Sequence, residues 1–321
     1  MRTGKELILA TKPFTKEDKT KSWAYALSTL FFLILSLVSS HIFEPFPIRI
    51  FFSILSGLLL VRMFVIYHDH QHHAILVSSK LANVIMYWFG IYILAPTSIW
   101  KRSHDFHHKH NSKLHVSDVG SFPTITKDEY EALSSSDKFK YLAARHPLNI
   151  IFGYVTIFML SFCISSILKS PKKHVDCGYA LVIHFAFGSF LFATGGLSTL
   201  FLILIVPHLI ACMLGSYLFY VQHNFPGASF KLRENWSYDF AATSSSSHFK
   251  MNPIMNWFTG NIGFHHVHHL NSRIPFYRLE EAMAAIPELQ NVQVTSFNPS
   301  CIYNALRLKV WDPESDKMIP V

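Results

Sequence analysis

A chain of 321 residues that is half hydrophobic, with a positive mean hydropathy, is too apolar for an ordinary soluble domain and reads as a membrane protein. Its formal charge of +8 is not gathered on an RNA- or DNA-binding motif, so no nucleic-acid partner is expected. Four cysteines, Cys163, Cys177, Cys212 and Cys301, stand far apart with no CxxC pair, which argues against a disulfide framework and against a thiolate metal site.

Residues 1–21 carry Arg2, Lys5, Lys12, Lys16, Lys19 and Lys21 ahead of the first apolar run, an excess that places the N-terminus on the cytoplasmic side. Residues 22–40 hold no charge and residues 50–67 only Arg62, so each run is long enough to cross a bilayer core. No small-residue cleavage site follows the first run, which reads as an anchor and not a signal peptide. The joint HIFEPFP admits only a hairpin turn, and the chain is expected back in the cytoplasm at His68. Arg62 lies about 9 Å from that end at ~1.5 Å per residue, within snorkelling reach of the interface.

Residues 81–96 and 148–168 are also apolar, but Lys101 and Arg102 follow the first, and Lys169, Lys172 and Lys173 the second. Both are expected to begin and end on the cytoplasmic side, as re-entrant or interfacial helices. Residues 179–194 and 197–221, joined at Gly195 and Gly196, are expected to form a second hairpin. The cytoplasmic face then carries residues 68 to about 147 and the tail from His223 onward. Ser244 to Ser247 read as a loop, and residues 279–290 as a short amphipathic helix.

Of the 20 histidines, 12 sit in three short stretches: HDHQHH at 68–73, HDFHHKH at 104–110 and HHVHH at 265–269. His68 and His72 are i and i+4, one turn apart on one helical face. His104, His107 and His108 share with His265, His268 and His269 the spacing HxxHH, again one face. All three clusters fall on the predicted cytoplasmic side. Eight neutral nitrogens exceed what one tetrahedral or octahedral ion accepts, so two metals are the natural count, and imidazole alone leaves Zn, Cu, Fe and Ni open.

His223, emerging on the same face just past the last span, is a ninth candidate. Asp69 and Asp105 each follow the first histidine of a cluster and are placed to orient a ligating ring. Arg62, seven residues before Asp69, is expected to pair with it. His70, His73, His110 and His266 are expected outside the ligand set, and His184 and His208, inside apolar runs, in helix–helix contacts. The fold class expected is an all-α integral membrane protein, one domain over residues 1–321. Four transmembrane helices in two hairpins, plus re-entrant or interfacial helices, carry a cytoplasmic histidine-rich di-metal cap.

The three boxes HxxxH, HxxHH and HxxHH resemble those of the membrane fatty-acid desaturase family, over about residues 62–279. The stretches WKRSHDFHHKHN and NWFTGNIGFHHVHHLNSRIPFYRL are most similar to its acyl-lipid Δ12/ω3 branch, in which the third box runs on into a Leu, a Pro and a Tyr. The resemblance implies two Fe ions held by these histidines and O₂ as co-substrate. It further implies a fatty-acyl lipid threaded through an apolar tunnel, and two electrons from ferredoxin or cytochrome b5. His146-Pro147 continues as Leu-Asn and not as an HPGG haem motif, so the donor is expected to be a separate protein, docking on basic loops that include Lys101, Arg102, Lys109 and Lys113. The compact form points to a bacterial inner membrane, or to the endoplasmic reticulum in a eukaryote. A related di-iron hydroxylase or ketolase acting on alkanes, sterols or carotenoids is the rival reading, ahead of a metal transporter or a zinc hydrolase.

Overall fold

The computed structural model describes residues 1–116 and 120–321; residues 117–119, which follow the second histidine cluster in sequence, lie outside the described residues. Three helical stretches are long and apolar enough to cross a membrane: Lys19–Ile42, Phe46–Gln71 and Val175–Val221. The first starts where the Asp18 side chain accepts from Lys21 N at 3.1 Å, and it ends ahead of Glu44-Pro45. Proline suits the start of the next helix, where the missing N–H has no intrahelical partner.

The third stretch is 47 residues, about 70 Å of helix at ~1.5 Å per residue and more than twice a bilayer core of about 30 Å. It therefore folds on itself. Gly196, at φ 69° and ψ −169°, breaks the helical conformation. Beyond it the arms run back side by side: a Cβ on Gly188 would lie 3.2 Å from Leu204, and the His184 and His208 rings are 5.2 Å apart. The expected second hairpin is thus present, with its break at one residue. The expected helix–helix roles of its histidines hold too, since His184 meets the Tyr154 hydroxyl and His208 meets the carbonyls of Leu204 and Tyr92 at 2.9 and 3.0 Å.

Small residues bring the hairpins together. In an apolar solvent, close backbone approach and interhelical hydrogen bonds replace the hydrophobic drive of a soluble core. Ser36 Oγ donates to Phe52 O at 2.8 Å, Ser56 Oγ to Ser36 Oγ at 3.0 Å, and Ser53 Oγ to Leu202 O at 2.7 Å. Gly57 sits so close to the last helix that an added Cβ would be 2.7 Å from Ile210 Cβ. Large apolar side chains such as Phe31, Phe51, Phe185 and Phe190 point outward.

The remaining apolar runs do not form straight helices. Lys80–Tyr92 and Thr97–His110 meet at 92°, with Leu94 at φ 58° and Pro96 capping the second. Residues 147–169 divide into Pro147–Ile151, a π-helix at Tyr154–Ser165 and a final turn at Ser166–Lys169. The expected helix over 279–290 is cut short at Ala285, because Pro287 lacks the N–H that would continue it. Ser244 closes the helix Tyr238–Ser244, and Ser245, Ser246 and Ser247 form the expected loop, which is buried. Two short strand pairs, His248–Lys250 parallel with Val294–Ser296 and Val310–Asp312 antiparallel with Lys317–Ile319, tie the C-terminal segment down.

Gly57→Ala should force the hairpins apart and cost about 1–3 kcal/mol by overpacking. Its heat-aggregation midpoint in detergent should fall; an unchanged midpoint would mean that the hairpins do not touch there.

Candidate metal centre

The first two histidine clusters stand at the ends of longer helices, and the third forms a short helix of its own. The first closes the Phe46–Gln71 helix, with His72 as its C-cap. The second occupies the last turns of Thr97–His110, whose start is secured from outside: Ser98 N donates to Asp176 Oδ2 at 3.0 Å, and Ser98 Oγ bonds Asp176 and His174. His174, Asp176 and Cys177 are also grouped closely enough to hold an ion, but Ser98 already uses the carboxylate and the ring Nδ1. The third cluster is the short helix His265–Leu270, reached through left-handed turns at Gly260 and Asn261.

All nine histidines singled out from the sequence come together, in two groups. His68, His72, His104, His108 and His268 form one; His107, His223, His265 and His269 form the other, and within each group one nitrogen per ring lies within 4.8 Å of every other. The second box is divided between them, as is the third. His108 and His269 stack across the boundary at 4.2 Å between ring centres.

The nitrogens crowd too closely for nine independent rings. His223 Nε2 is 2.9 Å from His265 Nε2 and 3.0 Å from His107 Nε2; His108 Nε2 is 3.1 Å from the Nε2 atoms of both His104 and His268. Two nitrogens bound at right angles to one ion, each about 2.1 Å away, stand about 3 Å apart, so these spacings fit shared coordination. Outer contacts choose the tautomers. A carbonyl only accepts, so His223 Nδ1 must donate to Ser245 O at 2.9 Å, leaving Nε2 with its lone pair turned inward. His68 Nδ1 likewise donates to Asp69 Oδ1 at 2.9 Å. His72 Nε2 is buried with no hydrogen-bonding partner among the described residues. An all-nitrogen donor set of this kind fits a pair of transition-metal ions.

Burial, reinforced by the neighbouring imidazoles, pushes His72, His104, His107, His108, His265, His268 and His269 well below the usual imidazole value. Burial also brings His223 down to about 4. The rings are therefore neutral near pH 7, the form that ligates.

The surroundings differ from expectation in two ways. Arg62 does not pair with Asp69: its guanidinium bonds Thr29 Oγ1 at 3.2 Å and the Trp257 carbonyl, and lies 4.1 Å over the Trp257 ring. Both Asp69 oxygens are already used, one by His68 and the other by Phe276 N at 2.6 Å, so Asp69 joins box one to the segment after box three. Asp105 orients no ring; at 39% side-chain exposure it pairs with Lys101, one helical turn away. His70, His110 and His266 bond the backbone carbonyls of Ile75, Phe106 and Leu289, and His73 is exposed. Two partners gave no sequence signal: Ser121, whose Oγ is 2.7 Å from His107 Nδ1, and the Ser245 carbonyl, both on irregular segments distant in sequence. Trp100 did carry a signal, standing i−4 to His104 and stacking on its ring at 4.6 Å.

Beside the histidines lies a cavity of ≈ 330 Å³ that reaches His68, His104 and His265. Its walls are largely apolar, with Phe64, Trp100, Phe158, Leu218, Phe219 and Ile262 among them, and among the described residues no lysine, arginine or carboxylate lines it. An acyl chain suits this chemistry; a charged or strongly polar molecule does not.

A helical membrane protein with a paired, all-histidine centre at one end of an apolar cavity belongs among enzymes that act on lipid chains. Residues 44–298 match the profile of the family described as fatty acid desaturase, and the chain belongs to that family of oxidoreductases. It is 28% identical to a protein named fatty acid desaturase from Bacillus subtilis, over 98% of this chain and 90% of that one. An sn-1 oleoyl-lipid 12-desaturase of Synechocystis is 24% identical over 88% of this chain and 80% of its own length. An sn-1 acyl-lipid omega-3 desaturase (ferredoxin) of Nostoc is 25% identical over 80% and 71% respectively.

Acidification offers a check on the centre. A histidine whose pKa is lowered takes up its proton only below that lowered value, so metal-loaded protein in detergent should keep its metal as the pH falls from 7 and lose it only toward about 4, the value of His223. Release read with a colorimetric chelator near pH 6.5 would mean that the rings titrate as free imidazoles.

Proposed function

We propose that this chain is an O₂-dependent acyl-lipid desaturase of the Δ12/ω6 type, introducing a cis double bond, with two iron ions held by His68, His72, His104, His108 and His268 on one side and His107, His223, His265 and His269 on the other. The observation that carries this reading is the meeting of two all-nitrogen groups with a largely apolar cavity. The overall change is R–CH₂–CH₂–R + O₂ + 2e⁻ + 2H⁺ → R–CH=CH–R + 2H₂O. Iron supplies the oxidising power that takes hydrogen from an unactivated methylene, which no acid, base or nucleophile of the chain could do.

The protein's own residues position and exclude. Aromatic walls hold the chain beside the histidines and keep water away from it, and Asp69, Ser121 and the Ser245 carbonyl fix ring orientation. The electrons come from a separate ferredoxin or cytochrome b5; the omega-3 relative from Nostoc is named with ferredoxin. Of the basic residues considered for docking such a partner, Lys101 is engaged by Asp105 and Gln71 O, and Lys113 lies over Trp236, while Arg102 and Lys109 are exposed.

The four apolar arms, Lys19–Ile42, Phe46–Gln71 and the two limbs of Val175–Val221, cross the membrane in this reading, with the N-terminus and all histidine boxes cytoplasmic. The membrane is a bacterial inner membrane, or the endoplasmic reticulum if the source is eukaryotic.

Expression in a host with mostly saturated and monounsaturated lipids, followed by mass spectrometry of fatty-acid methyl esters with double-bond location, tests the proposal. A new dienoic acid is expected from the wild type and none from His107→Ala or His268→Ala, with membrane insertion retained. Full activity in either variant would remove that histidine from the ligand set; a hydroxylated product would replace the desaturase reading by a hydroxylase.

A further inference from the structure

Two helices present the cavity with the same kind of face. Val61, Phe64, Val65 and His68 are i, i+3, i+4 and i+7 along Phe46–Gln71. Gly215, Leu218, Phe219 and Gln222 repeat that spacing on Val206–Val221, with Gln222 next to His223. Seven residues of helix span about 10 Å, so Val61 and Gly215 mark the level about 10 Å from the histidine end of the two walls.

Gly215 has no structural need to be glycine. It lies inside a helix, where alanine is the better former, and its backbone is not left-handed. A Cβ added there meets no heavy atom within 4 Å, whereas one on Gly57 would meet Ile210 at 2.7 Å and one on Gly153 would meet Ser216 Oγ at 2.5 Å. Those two glycines permit helix contact; Gly215 leaves space in the cavity wall.

We propose that Gly215 is a specificity-determining residue, which sets how much of the acyl chain fits beyond the histidines and thereby which pair of methylenes lies beside them. An extended chain advances about 1.2 Å per bond, as three bonds of extended backbone span about 3.6 Å, so the 10 Å limb holds about eight bonds. A side chain at 215 shortens that limb; a smaller residue at Val61, on the adjoining helix and seven residues before His68, enlarges it. This inference rests on the desaturase reading.

The test compares wild type, Gly215→Ala, Gly215→Leu and Val61→Ala in a host fed acyl chains of graded length, with double bonds located by mass spectrometry. Gly215→Leu should shift the preferred chain at least two carbons shorter, or move the double bond by as many positions toward the end held in the cavity. Gly215→Ala should shift less in the same direction, and Val61→Ala the opposite way. Wild-type chain preference and bond position in both the Ala and Leu variants would overturn the assignment. Should Gly215→Leu fail to insert, the opposed shifts of Gly215→Ala and Val61→Ala decide alone, and their absence overturns it. No unsaturated product from wild type on any chain would remove the desaturase reading itself and this inference with it; product with unaltered selectivity removes only the role of Gly215.

Discussion

Nine imidazoles share one small volume, and burial together with their neighbours holds eight of them uncharged near pH 7. Desolvation makes the protonated ring costly, and each neighbour adds to the cost. Once neutral, every ring keeps one lone pair, and lone pairs facing each other at about 3 Å are stable only with something electrophilic between them or with protons carefully placed. The contacts of His223 with Ser245 O and of His68 with Asp69 put the ring protons on the outside. The apolar hairpins then act as a rigid frame. Their serine hydrogen bonds and close glycine contacts fix the helix ends that carry His68, His72 and His223, and the other six histidines stand on Thr97–His110 and His265–Leu270.

Much of this was legible in the chain. The hairpins follow from apolar length and the charges between runs, and Gly195-Gly196 marked the second turn. All nine centre residues could be named because helical spacing turns sequence distance into direction, and because histidines otherwise have little reason to cluster. What stayed hidden depends on contacts between segments far apart in the chain. Arg62 is a clear case: its spacing from Asp69 suggested an ion pair, but the first helix and the segment around Trp257 enclose it in aromatic rings and a carbonyl. Asp105 failed for a local reason, since Lys101 one turn earlier on an exposed face competes for it. Ser121 and Ser245 lie in irregular backbone, where no period exists to read.

The cavity extends the same logic to substrate. A methylene pair offers no charge or dipole by which to be recognised, so its position along the chain must be measured by length, from walls that do not yield. Two helices that begin their lining faces at the histidines and descend together supply such a measure. Among the described residues the cavity walls carry no lysine, arginine or carboxylate that would compete with that geometric reading by gripping one end of a charged molecule.

The difference between the HxxxH and HxxHH boxes has a geometric cause. With about 100° of turn per residue, positions i and i+4 point about 40° apart, whereas i+3 departs about 60° to the other side of i. His68 and His72 accordingly enter one group together. In the second box His104 and His108 go to that group and His107 to its neighbour; in the third His265 and His269 go to the neighbour and His268 crosses back. Each HxxHH helix thus straddles the boundary, in opposite senses. Adjacent residues, His107 with His108 and His268 with His269, commit to different groups, so a single peptide unit on each of two helices limits how far the groups can separate. A box of the HxxxH kind in either place would feed one group alone and leave that spacing to looser tertiary contacts. The extra histidine is therefore what makes the two groups one centre, and it explains why the pattern needs two boxes of that form and only one of the shorter.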